Sequence, residues 1–196
     1  MKTGTAKLYN WALLKASSRK APLWVALLFV LELFLFIPLD VVLIFFCLHN
    51  PKRTFFYAIL AAIFSTLSSC AGYFLGHLLW DVLGGYIVPN FISHSMFSRI
   101  AFHLERYEGG AVFLGSLLPL PLKALSVAAG VFHLSFPIFV ASILAGRLLR
   151  FGLIGFAMRM FGEKVKAFLE RHFHRVFLLI FAKIAAVFIF FWASSL

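Results

Sequence analysis

Glu32, Pro38 and Asp40 stand inside an apolar stretch that runs from Ala21 to Leu48. Proline lacks a backbone N–H and breaks a helix interior. A carboxylate in an apolar segment is costly and has to face protein or a cavity. If hydrocarbon surrounds the stretch, such a break survives only where it is buried in protein or lines a wet cavity. The economical solution is a re-entrant hairpin, entering and leaving on the side of His49–Arg53.

The rest of the chain makes hydrocarbon the relevant solvent. Hydrophobic residues make up 63% of it and charged residues only 13%, far from the roughly even and one-quarter shares of soluble domains. Thr54–Trp80, Ala111–Val131, Leu134–Met158 and Val176–Trp192 are further long apolar stretches, and a spanning helix takes roughly 20 residues. The net charge of +11 does not point to nucleic acid, because the cations sit in short flanks. Lys2, Lys7, Lys15, Arg19 and Lys20 precede the first stretch, Lys52 and Arg53 follow it, and Lys164, Lys166, Arg171 and Arg175 lie before the last. Basic flanks of apolar helices mark the cytoplasmic side and favour anionic headgroups. The N-terminus is therefore predicted to be cytoplasmic.

The predicted fold is an all-α polytopic membrane protein with two opposed re-entrant helical hairpins and spanning helices in an inverted-repeat layout. Residues 1–20 form a basic interfacial segment, with Leu8, Trp11 and Leu14 on the membrane surface. Residues 21–48 are the first hairpin and 54–80 a spanning helix. Residues 81–110 are a polar middle broken at Gly84, Gly85 and Pro89, with Ile92, Met96, Ile100 and Leu104 as the apolar face of an interfacial helix. Pro119 and Pro121 make 111–131 the second hairpin, 134–160 is a second spanning helix, 163–175 a basic cytoplasmic loop, and 176–196 a C-terminal membrane helix. Two halves of this order, pointing opposite ways, would bring their breaks together near the midplane. Ser65, Ser69, Gly72 and Gly76 line one face of residues 54–80 and are read as a packing surface.

Five ionisable residues within these segments need explaining: Glu32, Asp40, Lys123, Arg147 and Arg150. Each costs roughly 2.5–3.5 kcal/mol at a helix centre, so it must pair or face a cavity. If the breaks meet, two carboxylates face three cations. One explanation is a set of structural ion pairs; the other is a cationic site for a phosphate or carboxylate headgroup, with the acids taking protons. The remaining candidates are weaker. Lys183 and Arg159 are expected to snorkel, His172 and His174 to face solvent or headgroups, and His77 with Asp81 to form a helix-end hydrogen bond. Cys47 and Cys70 read as free packing residues, and no spacing implies a metal or other cofactor. No nucleophile–base motif occurs, so no catalytic residue and no enzyme activity are expected.

The run Glu32-Leu-Phe-Leu-Phe-Ile-Pro38-Leu-Asp40, then Asn50-Pro-Lys-Arg53 and Gly72-Tyr-Phe-Leu-Gly76, resembles the first half of DedA-superfamily (VTT or SNARE-associated domain) proteins. Pro119-Leu-Pro-Leu-Lys123, Ala129-Gly130-Val-Phe and Gly146-Arg-Leu-Leu-Arg-Phe151 resemble the second half of the YqaA-like branch. The resemblance spans roughly Ala21–Gly162. It implies opposed re-entrant hairpins, a bacterial inner-membrane location and lipid translocation, in relatives linked to undecaprenyl phosphate recycling, lipid scrambling and the proton-motive force. It assigns the family's membrane acids to Glu32 and Asp40 and its basic residues to Lys123, Arg147 and Arg150. Two departures stand out. Leu117-Leu118 replaces an Arg-Phe before the proline, and Lys123 replaces an arginine, losing the bidentate guanidinium fork.

The expected function is transport of an anionic lipid, a polyprenyl phosphate or phospholipid headgroup. Lys123, Arg147 and Arg150 would bind the substrate, and Glu32 and Asp40 would couple it to protons. The alternative is a non-transporting membrane-organising or assembly protein whose buried charges are structural. Partners are then lipid phosphate and the bilayer, not nucleic acid; the oligomeric state, homo-oligomers included, stays open.

Overall fold

The computed structural model describes residues 14–34, 39–91, 107, 109–118 and 122–193, with the backbone alone at 83–91, 122, 163 and 166–193. Pro38, Pro119, Pro121 and the expected interfacial helix around Ile92–Leu104 lie outside the described residues, as do Leu8 and Trp11. Among those described, every regular element is helical.

Helix α1, Ala21–Val30, has Pro22 in its first turn, where a missing N–H leaves no hydrogen bond unmade. A single 3₁₀ turn, Leu31–Leu33, follows it, and α2 then runs Leu39–His49. These helices have 10 and 11 residues; at 1.5 Å per residue each is about 15–17 Å long, half of what crosses a bilayer. Asn50 and Pro51 reverse the chain through a second 3₁₀ turn, and the Thr54 hydroxyl donates to the Pro51 carbonyl (3.3 Å) as α3 begins. Helix α3 spans Thr54–Phe91. In the second half a helix α4, described over 109–117, precedes short helix α5 (Leu122–Val131) and long helix α6 (Phe136–Ala193). Pro51–Val82 and Phe136–Gly162 are long and apolar enough to cross a membrane.

Two stretches depart from expectation. Helix α3 runs through Gly84, Gly85 and Pro89 to Phe91 instead of ending near Trp80. Each glycine costs a helix only about 1 kcal/mol, and Pro89, in the last turn, forfeits one hydrogen bond with little helix left to kink. Likewise residues 163–175 form no loop but continue α6, which is 58 residues long. From Glu163 to Ala193 the sequence holds neither glycine nor proline, and its Glu, Lys, Ala, Leu and Arg residues favour helix. The polar composition that suggests a loop is equally that of a solvated helix surface.

Helix α3 is the centre of the packing, touching α1, α2, α5 and α6, while α6 also packs on α2. Its inward face is small and polar. Ala58, Ala61, Ala62, Ser65, Thr66, Ser68 and Ser69 are buried, whereas Leu67, Phe74, Leu78 and, on α6, Leu153 and Phe156 are exposed. A soluble protein would bury the second set; an apolar exterior over a core that mixes apolar side chains with these hydroxyls suits a lipid surround. Thr66 and Ser69 donate to the carbonyls of Ala62 and Ser65, at 2.8 and 2.9 Å.

The glycines that resemble a packing motif do act as one. A Cβ on Gly76 would run into the Val127 carbonyl, and one on Gly130 into the Tyr73 carbonyl, so α3 and α5 touch backbone to backbone. Gly146 leaves room on α6 for the Ser116 hydroxyl of α4, with the Phe113 carbonyl beside it. Gly76→Ala is therefore expected to destabilise the detergent-solubilised protein by about 1–3 kcal/mol, the usual range for overpacking. Gly152→Ala, with nothing within 4 Å, should leave the melting temperature unchanged or raise it.

Candidate functional site

The break between α1 and α2 holds both carboxylates. Glu32 lies in the 3₁₀ turn and Asp40 in the first turn of α2. Arg147 and Arg150, one turn apart on α6, face them. Arg147 Nη2 lies 3.3 Å from Glu32 Oε1, with side chains only 4% and 18% exposed. Arg150 Nη2 is hydrogen-bonded to Asp40 Oδ2, in a pair 16% and 35% exposed. The first pair is thus the deeper and the second lies nearer the surface.

The site also repairs the backbone that the breaks expose. A helix end leaves carbonyls and amides without intrahelical partners. Arg150 Nη1 donates to the Leu118 carbonyl at 2.7 Å, just beyond α4, so a single guanidinium joins Asp40 at the first break to the chain at the second. The Leu33 amide donates to the Ser68 hydroxyl (3.0 Å), and the Ser65 hydroxyl donates to Glu32 Oε2. Helix α3 thereby supplies the hydroxyl partners of the irregular turn. Arg147 lies over the Phe151 ring at 5.3 Å, with its Nε buried and without a hydrogen-bond partner among the described residues.

Pairwise interactions link all five sequence-predicted residues, although not each to every other. Glu32 acts on Lys123 in the first turn of α5, and Arg147 feels Glu32, Asp40 and Arg150. Lys123 is half-buried and engaged in the structure. The cluster holds two acids and three bases. Ser65 and Ser68 were not foreseen as members of it. Ser65 belongs to a small-residue stripe whose spacing signals packing, and nothing local in the sequence marks its hydroxyl as a partner of Glu32. His77 and Asp81 do form the expected hydrogen bond, Nδ1 to Oδ2 at 3.0 Å, though mid-helix rather than at a helix end. Cys47 and Cys70 are free, and Arg159 lies over the Phe55 ring. The side chains of His172, His174 and Lys183 are outside the described residues.

The described residues are all-helical, and the two long apolar helices with the apolar exterior suit a membrane protein. A profile of the VTT domain matches residues 37–160. Uncharacterised proteins of Haemophilus influenzae and Histophilus somni are each 28% identical to the chain over 165 residues, covering 84% of it and 85% and 86% of their own lengths. No solved structure matches significantly. The chain belongs to the VTT-domain family, the DedA family, which is not generally enzymatic.

Breaking a buried ion pair from one side strands the remaining charge, at about 3–5 kcal/mol, whereas replacing both partners by apolar groups is often neutral. Arg147→Met should therefore lower the thermal stability of the purified protein by about that amount, and Glu32→Leu with Arg147→Met should recover most of it. For the more exposed Asp40–Arg150 pair the single change should cost less.

Proposed function

We propose that this protein moves the phosphate headgroup of an anionic lipid, a polyprenyl phosphate or a phospholipid, across the bacterial inner membrane. The observation that carries the proposal is the buried Arg147 guanidinium, whose Nε has no partner among the described residues. A buried donor left unmade is costly, and an acceptor with several oxygens, such as phosphate, satisfies a guanidinium through paired hydrogen bonds.

Arg147 and Arg150 would receive the headgroup with Lys123, while the lipid tail stays in hydrocarbon between two re-entrant hairpins. With Glu32 and Asp40 ionised, both arginines are held by carboxylates. Protonation of those acids would release the guanidiniums to the phosphate, and loss of the proton would expel it. Headgroup and carboxylate thus compete for the same donors, which is the differential binding that a proton-linked cycle requires. The basic flanks at Lys15–Lys20 and Lys52–Arg53 support a cytoplasmic N-terminus and inner-membrane residence. A second interpretation has one specific observation in its favour: each acid already has its own arginine. A protein that only organises the membrane or assists assembly would need no more than that.

In liposomes carrying a labelled lipid phosphate, wild-type protein should move the label. Glu32→Ala and Arg147→Ala should slow it by roughly tenfold or more, the loss of about 1.4 kcal/mol of differential binding, while still inserting. Movement at the wild-type rate by both variants would overturn the assignment. The swap Glu32→Arg with Arg147→Glu separates the two interpretations: it restores function if the pairs are only structural and leaves transport dead if the site must hold a headgroup.

A further inference from the structure

A second polar cluster lies away from these charges, where the turn between α5 and α6 meets α3. His77 and Asp81 are one turn apart on α3, and His133 reaches them from the turn. Asp81 Oδ2 is 3.0 Å from His77 Nδ1, and its Oδ1 is 3.8 Å from His133 Nε2. The two imidazole rings lie 4.3 Å apart, centroid to centroid. One donor atom from each residue falls within 4.8 Å of the other two.

The backbone that presents His133 is built for a different residue. Helix α5 ends with the His133 amide on the Gly130 carbonyl (3.1 Å) and the Leu134 amide on the Ala129 carbonyl (3.0 Å). This is the Schellman closure, in which glycine is the usual residue at the left-handed position. His133 occupies it with a φ of 52°, the one positive φ outside glycine among the described residues. The turn is anchored independently of the imidazole: the Tyr73 hydroxyl donates to the Leu134 carbonyl at 2.6 Å, and Leu134 is buried. A glycine would therefore close the turn with less strain, so the His133 ring is not needed to make it. What the ring adds is a second nitrogen donor beside Asp81.

We propose that His77, Asp81 and His133 bind a divalent transition-metal ion of the zinc class. Two neutral imidazoles and one carboxylate form a common donor set for Zn²⁺ in three-ligand sites, with a fourth position left to water or another ligand. Tetrahedral coordination at 2.0–2.1 Å brings donors to about 3.4 Å from one another. All three side chains are substantially exposed, at 43%, 54% and 41%, so rotation about their side-chain bonds closes the gap without disturbing the core. The ion would replace a hydrogen-bonded contact by coordinate bonds and fasten the α5–α6 turn to α3. Sequence spacing pairs His77 with Asp81 but cannot supply His133, which comes from the other half of the chain.

The full-length protein in detergent, stripped with a chelator and desalted, is titrated with Zn²⁺ against a chromophoric competitor. Wild type should take up one equivalent that Asp81→Asn and His133→Gly lose, with affinity falling at least about tenfold, as it does when even an outer partner of a metal ligand is removed. His133→Gly should keep or raise the melting temperature of the metal-free protein, so that its loss of binding is not a loss of folding. Zn²⁺ should raise the melting temperature of wild type and not of Asp81→Asn. His172→Ala with His174→Ala should bind as wild type does. Absence of a bound equivalent in wild type, or unchanged affinity in both Asp81→Asn and His133→Gly, would overturn the site.

Discussion

A helix that stops inside an apolar stretch leaves amides and carbonyls with no water to turn to, and much of this protein's interior answers that need. The break after α1 is met by hydroxyls from α3, with Ser68 accepting from the Leu33 amide and Ser65 donating to Glu32. The break after α4 is met by Arg150, which holds the Leu118 carbonyl and Asp40 together. Polar groups buried in pairs cost less than polar groups buried alone, so the charges and the irregular backbone stabilise one another. Neither is an isolated fault in an otherwise apolar chain.

The close helix contacts follow from the same requirement. Hydroxyls and guanidiniums reach the breaks only if the helices carrying them lie near, and glycines remove the side chains that would hold them apart. Gly76 and Gly130 bring α3 and α5 to backbone contact, and Gly146 lets α6 seat against the Ser116 side chain of α4. In the first half two short helices precede a long one, and in the second the short α5 precedes the long α6. Helix α3 packs on α5 of the other half and α6 on α2, so each long helix lies against a short helix of the opposite half.

Much of this is legible in the sequence. Glu32, Asp40, Arg147 and Arg150 stand out because charge in an apolar run demands a partner, and their pairing is what that demand produces. Gly72, Gly76 and the serines beside them show helical spacing, which identifies a face. It does not show that Ser65 faces a carboxylate, since a serine in a packing stripe and a serine holding an acid look alike in one dimension. The polar stretches after Trp80 and Gly162 misled in the other direction. Polarity and glycine content suggested loops, yet helix propensity carried α3 to Phe91 and α6 through residues 163–175.

The sequence by itself determined the solvent, the positions of the breaks and the identity of the buried charges. Those are local matters, set by hydropathy, by proline's missing N–H and by the cost of an ion in hydrocarbon. Only the tertiary structure decided who meets whom: Glu32 with Arg147 and Ser65, Asp40 with Arg150 and the Leu118 carbonyl, His133 with Asp81. Each of these contacts joins residues from separate helices or turns, and several join the two halves of the chain. Spacing along a helix predicts neighbours three or four residues apart. It is silent about partners brought together by the crossing of two helices, and in this protein glycine-lined crossings between α3 and α5 and between α4 and α6 are what bring such partners within reach.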